Sequence, residues 1–360
     1  MKKAWYVGPE ADREKIAKWE PKHQPAPTLD PRAEFAAVLR EIGAIVEGEH
    51  PIMNGEAQRI PAVNDKRGEL TIFYVAYEDG VPNGYAENNR TKQIIRWKAK
   101  GQHLSSEAKA ALAAQADQNR YTRKQTERKL YEATAQRLSE ELRINNSGVK
   151  PTEYHKAKQI EATPGAPSRN GDVWVPGYDV DGKLWTIQYI KEDGTKRFAK
   201  DSRKHGCFHL VGAPNGATAL QQIAMSPLVV IAEGYATAAT IAKHGKVPTL
   251  AAYDSGNLLS VATSIRERWP DKAIIIAGDD DHGLENNTGR KKALAAAEAV
   301  AGIAIFPNFS AEQRANGLTD FNDLATQNSE VISRQLDEVL QGVREQRLAA
   351  SQSIELARAV

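Results

Sequence analysis

The sequence predicts an α/β protein whose final third is a parallel, Rossmann-like sheet with helices on both faces. Two observations lead to this prediction. From about residue 226, apolar stretches such as "LVVIA" and "AIIIAG" alternate with segments of helical periodicity. Strands that are apolar throughout are buried on both faces, which is typical of parallel sheets. The patterns before this region are mixed, so we expect α+β architecture there, including one long helix.

The composition is that of a globular protein. The chain has 360 residues, of which 41% are hydrophobic and 26% charged, and this length allows two or three domains. The net charge is +2, so any affinity for nucleic acid must come from local basic patches. The single cysteine, Cys207, excludes a disulfide framework and a multi-cysteine zinc ribbon within this chain.

The compartment is inferred from what the sequence lacks. No apolar run approaches the length of about 18 residues that a membrane span needs. The opening "MKKAWYVGPEADREK" turns polar too early for a signal peptide. We therefore expect a cytoplasmic protein without membrane contact.

The first elements are a tail and a small domain. Residues 1–30 are predicted to be a tail or linker, because "PKHQPAPTLDPR" is rich in proline and lacks periodicity. An amino-terminal α+β domain is expected at residues 31–104. It begins with an amphipathic helix in "RAEFAAVLREIGA", closed by Gly43.

Strands and a long helix follow. "ELTIFYVAYEDGVPNGYAENN" predicts strands joined by turns that contain glycine and asparagine, ending near "QIIRWKAKG". Residues 105–150 are predicted to be a helical connector, because charges of both signs alternate along residues 105–143.

Residues 151–225 are predicted to form a basic, β-rich subdomain. Asp181-Gly182 and Asp193-Gly194 are hairpin signals between short strands. Its cations alternate with Trp185, Tyr189 and Phe198, a pattern expected of a groove that binds nucleotides or single-stranded DNA. The candidate contacts are Lys191, Lys196, Arg197, Lys200, Arg203 and Lys204. An ordinary exposed hairpin face is the alternative for these cations. Trp97, Trp174 and Trp185 are expected to lie in the core rather than to serve as stacking platforms.

Residues 226–328 carry the strand and helix alternation, and residues 329–360 predict a further helix. The predicted strands are "LVVIA", "VPTLAAY", "AIIIAG" and "IAIFP". The helices predicted between them are "YATAATIAKHG", "NLLSVATSIRERW" and "GRKKALAAAEAVAG". Lys291 and Lys292 begin the last of these helices and are candidates for binding a triphosphate.

Acidic residues follow two of these strands. Ligands of open parallel sheets bind beyond the carboxyl ends of the strands. Glu233 ends one strand, and Asp279 and Asp281 follow another. If these three carboxylates converge, they form an oxygen-ligand site for a hard divalent cation, most simply Mg²⁺. A solvated turn is the alternative for the aspartates. A third acidic group, Asp320 and Asp323 in "TDFNDL", follows the last strand, and for these residues a helix cap is the alternative, with Asp320 well placed as the N-cap.

The segment "HGCFH" does not predict a zinc site. His205, Cys207 and His209 would share one face of a strand, with Cα atoms about 6.6 Å apart at each step. Three such ligands cannot close a tetrahedron around one ion, and a fourth ligand is missing.

Three short motifs resemble the signature of the Toprim domain. They are "AEGYATA", then "GDDDHG" about 45 residues later, then "DFND". The Toprim signature is a glutamate and a glycine after one strand, followed by Asp-x-Asp after a later strand. It is shared by bacterial-type primases, type IA and type II topoisomerases and some nucleases.

The resemblance extends upstream. "VPGYDVDGKLWTIQYIKEDGTKRFAKDSRKHGCFHLVG" is similar to the segment before Toprim in plasmid and phage primases, and "FYVAYEDGVPNGYAENNRTKQIIRWKAKG" resembles their amino-terminal region. About 300 residues in all resemble the primase part of the TraC-type primases of conjugative plasmids. "WYVGPEADREKIAKWEP" is similar to a segment just before that part, so the chain resembles a fragment or short form of a longer protein.

The resemblance implies a role for each acid. Glu233 is a metal ligand or general acid/base, Asp279 and Asp281 are ligands of Mg²⁺ or Mn²⁺, and Asp320 is a supporting ligand. The sequence departs from the DnaG-type pattern at Thr237, where an aspartate is usual. It also lacks their zinc ribbon, so template recognition must work differently or reside elsewhere.

The activity implied is that of a DNA primase. Such an enzyme makes short RNA primers on single-stranded DNA from ribonucleoside triphosphates, here in plasmid conjugation or replication with other proteins of those processes. One alternative is a Toprim nuclease that uses the same acids to cut DNA. Another is a non-catalytic protein that binds single-stranded DNA, although the intact acids argue against it. A topoisomerase is less favoured, because nothing around the tyrosines marks a nucleophile.

Overall fold

The computed structural model describes residues 30–358, except 80, 100–105, 145–147 and 284–286. The predicted tail at residues 1–30 therefore lies almost wholly outside the described residues. The chain divides into two compact units, Met1–Thr126 and Glu127–Val360. The finer domain boundaries drawn from the sequence stay predictions.

The first unit contains a helix and an antiparallel sheet. Helix α1 spans Pro31–Glu41, and Gly43 follows it with a φ of 83°, as its predicted role at the helix end requires. The four strands lie in the order β1-β2-β3-β4 and pack one face on α1. They are β1 (Gln58–Ile60), β2 (Ile72–Tyr77), β3 (Asn83–Asn88) and β4 (Ile94–Lys98). The sequence patterns predicted β2 to β4 but not the short β1.

The long predicted helix is confirmed as α2, Ser106–Ile144. In the second unit its buried Leu138 packs on an antiparallel sheet of four strands. Gly182 and Gly194 have φ values of 77° and 83°, so both predicted hairpin turns are present. The sheet and a short helix before it consist of α3 (Glu153–Lys158), β5 (Ser168–Arg169), β6 (Asp172–Tyr178), β7 (Leu184–Ile190) and β8 (Lys196–Phe198).

The predicted parallel sheet has five strands in the order β13-β12-β10-β11-β9. The four strands β13, β12, β10 and β11 are parallel, as predicted. The edge strand β9 pairs antiparallel with β11 and was not predicted, because two residues are too short to show a period. The strands are β9 (His209–Leu210), β10 (Leu228–Ala232), β11 (Thr249–Ala251), β12 (Ala273–Ala277) and β13 (Ile303–Ile305).

Both faces of this sheet are covered. Val229 and Ile231 of β10 face one core, whereas Leu228, Val230 and Ala232 face the other. Because side chains alternate along a strand, a strand that is apolar throughout supplies both cores. The helices of this region are α4 (Gly216–Met225), α5 (Tyr235–Gly245), α6 (Ser255–Arg268), α7 (Thr288–Ala299), α8 (Ala311–Ala315), α9 (Phe321–Gln327) and α10 (Ser329–Arg358).

Helix α10 belongs to this core along its first half. Four apolar residues at helical spacing are buried in the same core as α5 and α9, namely Ile332, Leu336, Leu340 and Val343. The sequence alone did not distinguish a packing helix from one that binds a partner. Burial shows that this half packs. No helix in the described ranges is both long enough and apolar enough to span a bilayer.

The packing of α10 predicts a stability change. Leu336 is 1% exposed, so Leu336→Ala leaves a cavity and lowers the free energy of unfolding by about 2–5 kcal/mol. Urea denaturation measures this change. Glu338→Ala, at an exposed position on the same helix, is the control and changes stability by less than about 0.5 kcal/mol. Equal stability of the two variants would contradict the integral packing of α10.

Candidate active site

Three neighbouring parallel strands each lead to a carboxylate at one edge of the sheet. Glu233 follows β10, Asp254 follows β11 after two further residues, and Asp279 follows β12 after Gly278. Since β12, β10 and β11 are adjacent, these acids lie at neighbouring strand ends. The described residues thus place Glu233 and Asp279 at one edge, as the strand pattern predicted.

Glu233 is held in a largely buried position. Burial raises the pKa of Glu233, and the charges of Asp281 and Asp254 raise it further. A hydrogen bond from the backbone of Ser255, at the start of α6, opposes this shift, as does the charge of Lys196. The Oε2 atom is buried and has no hydrogen-bond partner in the described part of the chain. The buried oxygen is therefore available to a positive ligand.

Asp279 is the most strongly perturbed of these acids. Burial raises its pKa to about 9, with further increases from the charges of Glu233, Asp320 and Asp281. Its Oδ1 atom is buried and lacks a partner among the described residues. A carboxyl group in this environment holds its proton at neutral pH unless a cation replaces that proton.

The second and third aspartates of the run differ from each other. Asp280 is 2% exposed and accepts hydrogen bonds from Arg314 at 2.7 Å and Asn287 at 2.8 Å. Although burial opposes the effect, these hydrogen bonds and the positive charges hold the pKa of Asp280 below its usual range. Asp281 instead accepts a hydrogen bond of 2.9 Å from the backbone of Gly289. Asp280 therefore has a structural role, whereas Asp279 and Asp281 are each close enough to Glu233 to interact with it electrostatically.

Helix α7 approaches these aspartates closely at Gly289. A Cβ at this position would lie 2.8 Å from Oδ2 of Asp281 and 3.1 Å from the backbone oxygen of Asp279. A side chain here would therefore require the Asp281 carboxylate to move and the loop to give slightly.

Asp320 is a helix cap that lies near the site. It is the N-cap of α9, and its Oδ1 accepts a hydrogen bond of 2.8 Å from the backbone of Asp323. Burial and then the charge of Asp323 raise the pKa of Asp320. Its charge also raises the pKa of Asp279, so the two carboxylates are close enough to interact. The cap is shown, whereas a role for Asp320 as a metal ligand stays a prediction.

The acids do not form a closed metal cage. Within the described ranges, no three His, Cys, Asp or Glu side chains are arranged to hold one ion. Mg²⁺ seldom requires such a cage, because it binds through one or two carboxylates together with water and substrate phosphates. The unpartnered oxygens of Glu233 and Asp279 fit that mode of binding.

Lysines from three separate segments approach the acids. Lys196 on β8 places its Nζ 3.8 Å from the position that a Cβ on Gly234 would take. Lys204 forms an ion pair with Asp254. Lys292 on α7 places its Nζ 3.9 Å from the corresponding position at Gly256. Positive charge thus borders the carboxylates on more than one side.

The other predicted cations have different surroundings. Arg203 stacks over the ring of Trp185 at 3.8 Å and pairs with Asp179 at 2.8 Å, and its role in binding nucleic acid stays a prediction. Lys191 pairs with Asp172 at 2.5 Å. The remaining predicted cations are exposed, namely Arg197, Lys200 and Lys291. Trp97, Trp174 and Trp185 are buried, as the core alternative predicted.

The rejection of zinc at "HGCFH" agrees with the structure. Burial raises the pKa of Cys207 to about 11 and lowers that of His209 to about 4. The Nδ1 atom of His209 lies 3.1 Å from the backbone oxygen of Pro176. Both residues are core residues.

Asp254 was not among the acidic residues predicted from the sequence. The signal was present, because Asp254 follows an apolar strand just as Glu233 and Asp279 do. The preceding residue, Tyr253, has a φ of 77°, which a non-glycine residue rarely adopts. Strained backbone is common at functional sites, and here it lies immediately before an acid of the candidate site.

Comparison with known proteins agrees with the predicted resemblance. Residues 228–330 match the Toprim domain family. The chain is 44% identical over 324 residues to an Escherichia coli protein named DNA primase TraC, which covers 87% of this chain and 30% of that protein. A second E. coli protein of the same name is 46% identical over 321 residues, covering 86% and 22%. The chain thus spans less than a third of the length of these relatives.

Two solved structures overlap with the chain more loosely. The zinc-binding and RNA polymerase domains of the Aquifex aeolicus primase are 13% identical, with 85% of this chain and 83% of that chain covered and a TM-score of 0.33. The primase fragment of the bacteriophage T7 primase-helicase is 14% identical, with 51% and 74% covered and a TM-score of 0.32.

The crowding of the carboxylates predicts a pH-dependent stability. Between its ordinary pKa of 3.8 and about 9, Asp279 keeps a proton in the folded protein that the unfolded chain releases. Stability from this group therefore falls as the pH rises through that window. Asp279→Asn cannot ionise, so in EDTA it is more stable than the unaltered protein, and more so at about pH 8 than at about pH 6.

Thermal melting at the two pH values measures the difference. Glu298→Gln, an exposed carboxylate on α7, is the control and gives the same melting temperature as the unaltered protein at both. If the difference in melting temperature between Asp279→Asn and the unaltered protein became smaller as the pH rises, the raised pKa of Asp279 would be contradicted.

Proposed function

We propose that this chain is a DNA primase that synthesises short RNA primers on single-stranded DNA by Mg²⁺-dependent nucleotidyl transfer. The observation that carries the proposal is the pair of largely buried carboxylates, Glu233 and Asp279, at the edge of the Toprim sheet, each with an oxygen that has no hydrogen-bond partner among the described residues. The similarity to proteins named DNA primase TraC over 87% of the chain supports the same reading.

Glu233, Asp279 and Asp281 would hold Mg²⁺ or Mn²⁺, with Asp320 as a supporting acid. When bound, the ion would lower the pKa of the primer 3′-hydroxyl and neutralise charge on the phosphates. Its ligand shell would be completed by water and substrate, as Mg²⁺ sites usually are. Burial, and then the charges of neighbouring carboxylates, raise the pKa of Asp279, and a bound cation would relieve both effects.

The lysines around the acids would bind the triphosphate of the incoming ribonucleotide. Lys196, Lys204 and Lys292 come from different segments, so together they can contact several phosphate oxygens. Asp254 holds Lys204 through an ion pair, which keeps the ammonium group at the site before substrate arrives. Binding in a fixed orientation supplies much of the rate in phosphoryl and nucleotidyl transfer.

The exposed cations would contact the nucleic acid. Arg197 and Lys200 lie on and just after β8, the strand that also carries Lys196. Lys291 begins α7 beside Lys292. Template and primer backbones are the ligands that such a surface would bind. Plasmid conjugation or replication in the cytoplasm, with other proteins of those processes, is the setting that we propose.

Removal of either central acid tests the proposal. Glu233→Gln and Asp279→Asn are expected to reduce primer synthesis at least a hundredfold, because the groups that hold the catalytic cation and substrate are lost. The assay incubates the full chain with single-stranded DNA, labelled ribonucleotides and Mg²⁺, and products are sized on a gel.

Glu298→Gln is the matched control and should make primers at the normal rate, since Glu298 is exposed on α7. Normal primer synthesis by either active-site variant would overturn the roles assigned to the acids. DNA cleavage in the absence of ribonucleotides would instead indicate the nuclease that shares this acidic arrangement.

A further inference from the structure

We propose that one face of the amino-terminal sheet is a binding surface for single-stranded DNA, separate from the acidic site. The surface, called here the open face, consists of side chains on β1 to β4 that point away from α1. Its members are Arg59, Phe73, Val75, Tyr77, Asn83, Tyr85, Glu87, Ile94, Arg96 and Lys98. The choice of DNA over RNA rests on the proposed primase function, whereas the surface itself is argued from its own chemistry.

The strand register places these side chains together. Residues directly opposite each other on antiparallel strands point to the same face. Phe73 lies opposite both Arg59 on β1 and Glu87 on β3. Tyr85 lies opposite Arg96 on β4. Aromatic rings on the central strands are therefore flanked by cations on the outer strands.

Side-chain contacts show the same alternation of aromatic rings and cations. The guanidinium of Arg59 lies 5.6 Å from the ring centre of Phe73, and that of Arg96 lies 5.9 Å from the ring centre of Tyr85. The two rings meet edge to face, with centres 6.3 Å apart. These distances allow cation–π attraction and keep arginine planes beside the aromatic platform.

The open face is not required for the core of this unit. Ile72, Tyr74 and Ala76 alternate with the open-face residues of β2 and are fully buried against α1. Phe73 and Tyr85 are only partly buried. Arg123 of α2 lies over the ring of Tyr77 at 4.9 Å, so that end of the open face is covered. Because the sheet already packs its other face, it does not need Phe73 and Tyr85 for its core, and their exposed parts can contact a ligand.

Charge identifies the occupant. Arg59, Arg96 and Lys98 are exposed cations, and Glu87 is the one acid among the ten open-face residues. Glu87 accepts a hydrogen bond of 2.9 Å from the hydroxyl of Tyr85 on the same face. Excess positive charge beside stacking rings is the combination that binds single strands, with phosphates on the cations and bases on the rings.

The surface also addresses the question of template recognition. The chain has one cysteine, so it cannot build a zinc ribbon from its own residues. A stacking platform recognises single-stranded nucleic acid without a metal and with little sequence preference. The open face would therefore hold the template strand by base stacking and phosphate contacts instead of through a zinc ribbon.

Binding of oligonucleotides to the full chain tests the proposal. Fluorescence anisotropy with labelled oligo(dT) of about 20 nucleotides, in EDTA and without ribonucleotides, measures affinity apart from catalysis. Tyr85→Ala should weaken binding about tenfold, whereas Tyr85→Phe retains the ring and binds as the unaltered protein does. Arg96→Ala should weaken binding at least fivefold and reduce the slope of log affinity against log salt by about 0.7.

Arg67→Ala is the matched control, because Arg67 is an exposed arginine of the same unit outside the open face. If Tyr85→Ala fails to fold, the affinity of Arg96→Ala for oligo(dT), compared with that of Arg67→Ala, still tests whether the open face binds DNA. Affinities equal to the control in both open-face variants would overturn the proposal. The same measurement with labelled oligo(U) distinguishes RNA from DNA. If the open-face variants lost affinity for oligo(U) but not for oligo(dT), the face would be assigned to RNA and the proposal would also be overturned. A chain that binds DNA through this face but makes no primers would refute the proposed function alone.

Discussion

The central constraint on this structure is the electrostatic cost of placing several carboxylates together at a buried sheet edge. Parallel strands bring Glu233 and Asp279 to the same edge, and burial raises the pKa of both. A chain selected only for stability would place such groups in water or give each a partner. Their retention is explained if a cation and a negatively charged substrate occupy the edge during function.

The surroundings of the acids suit that interpretation. Asp280, in the middle of the same acidic run, is neutralised by Arg314 and fixes the loop, while its neighbours remain available. Lys196 reaches the acids from a different sheet, and Lys204 is held by Asp254. The fold therefore separates two tasks, since arginines stabilise the loop and lysines line the place where phosphates would bind.

The sequence predicted the fold where periodicity was long enough to read. The four parallel strands and their helices followed from unbroken apolar runs, and both glycine hairpins were recognised. The short strands β1 and β9 were missed, because two or three residues carry no period. At the site, Glu233 and Asp279 followed from strand ends. The capping role of Asp320 was weighed but not decided, because a cap and a ligand need the same residue. The inward position of Asp280 depends on tertiary contacts that sequence does not show.

The most direct test of the central claim is calorimetric titration of the full chain with Mn²⁺ at about pH 7, in buffers of different ionisation enthalpy. A cation that binds the edge must displace the proton held by the crowded carboxylates, since the pKa of Asp279 is raised to about 9. We predict saturable binding with proton release, both lost in Asp279→Asn. Binding of equal strength in that variant, or binding without proton release, would contradict the account.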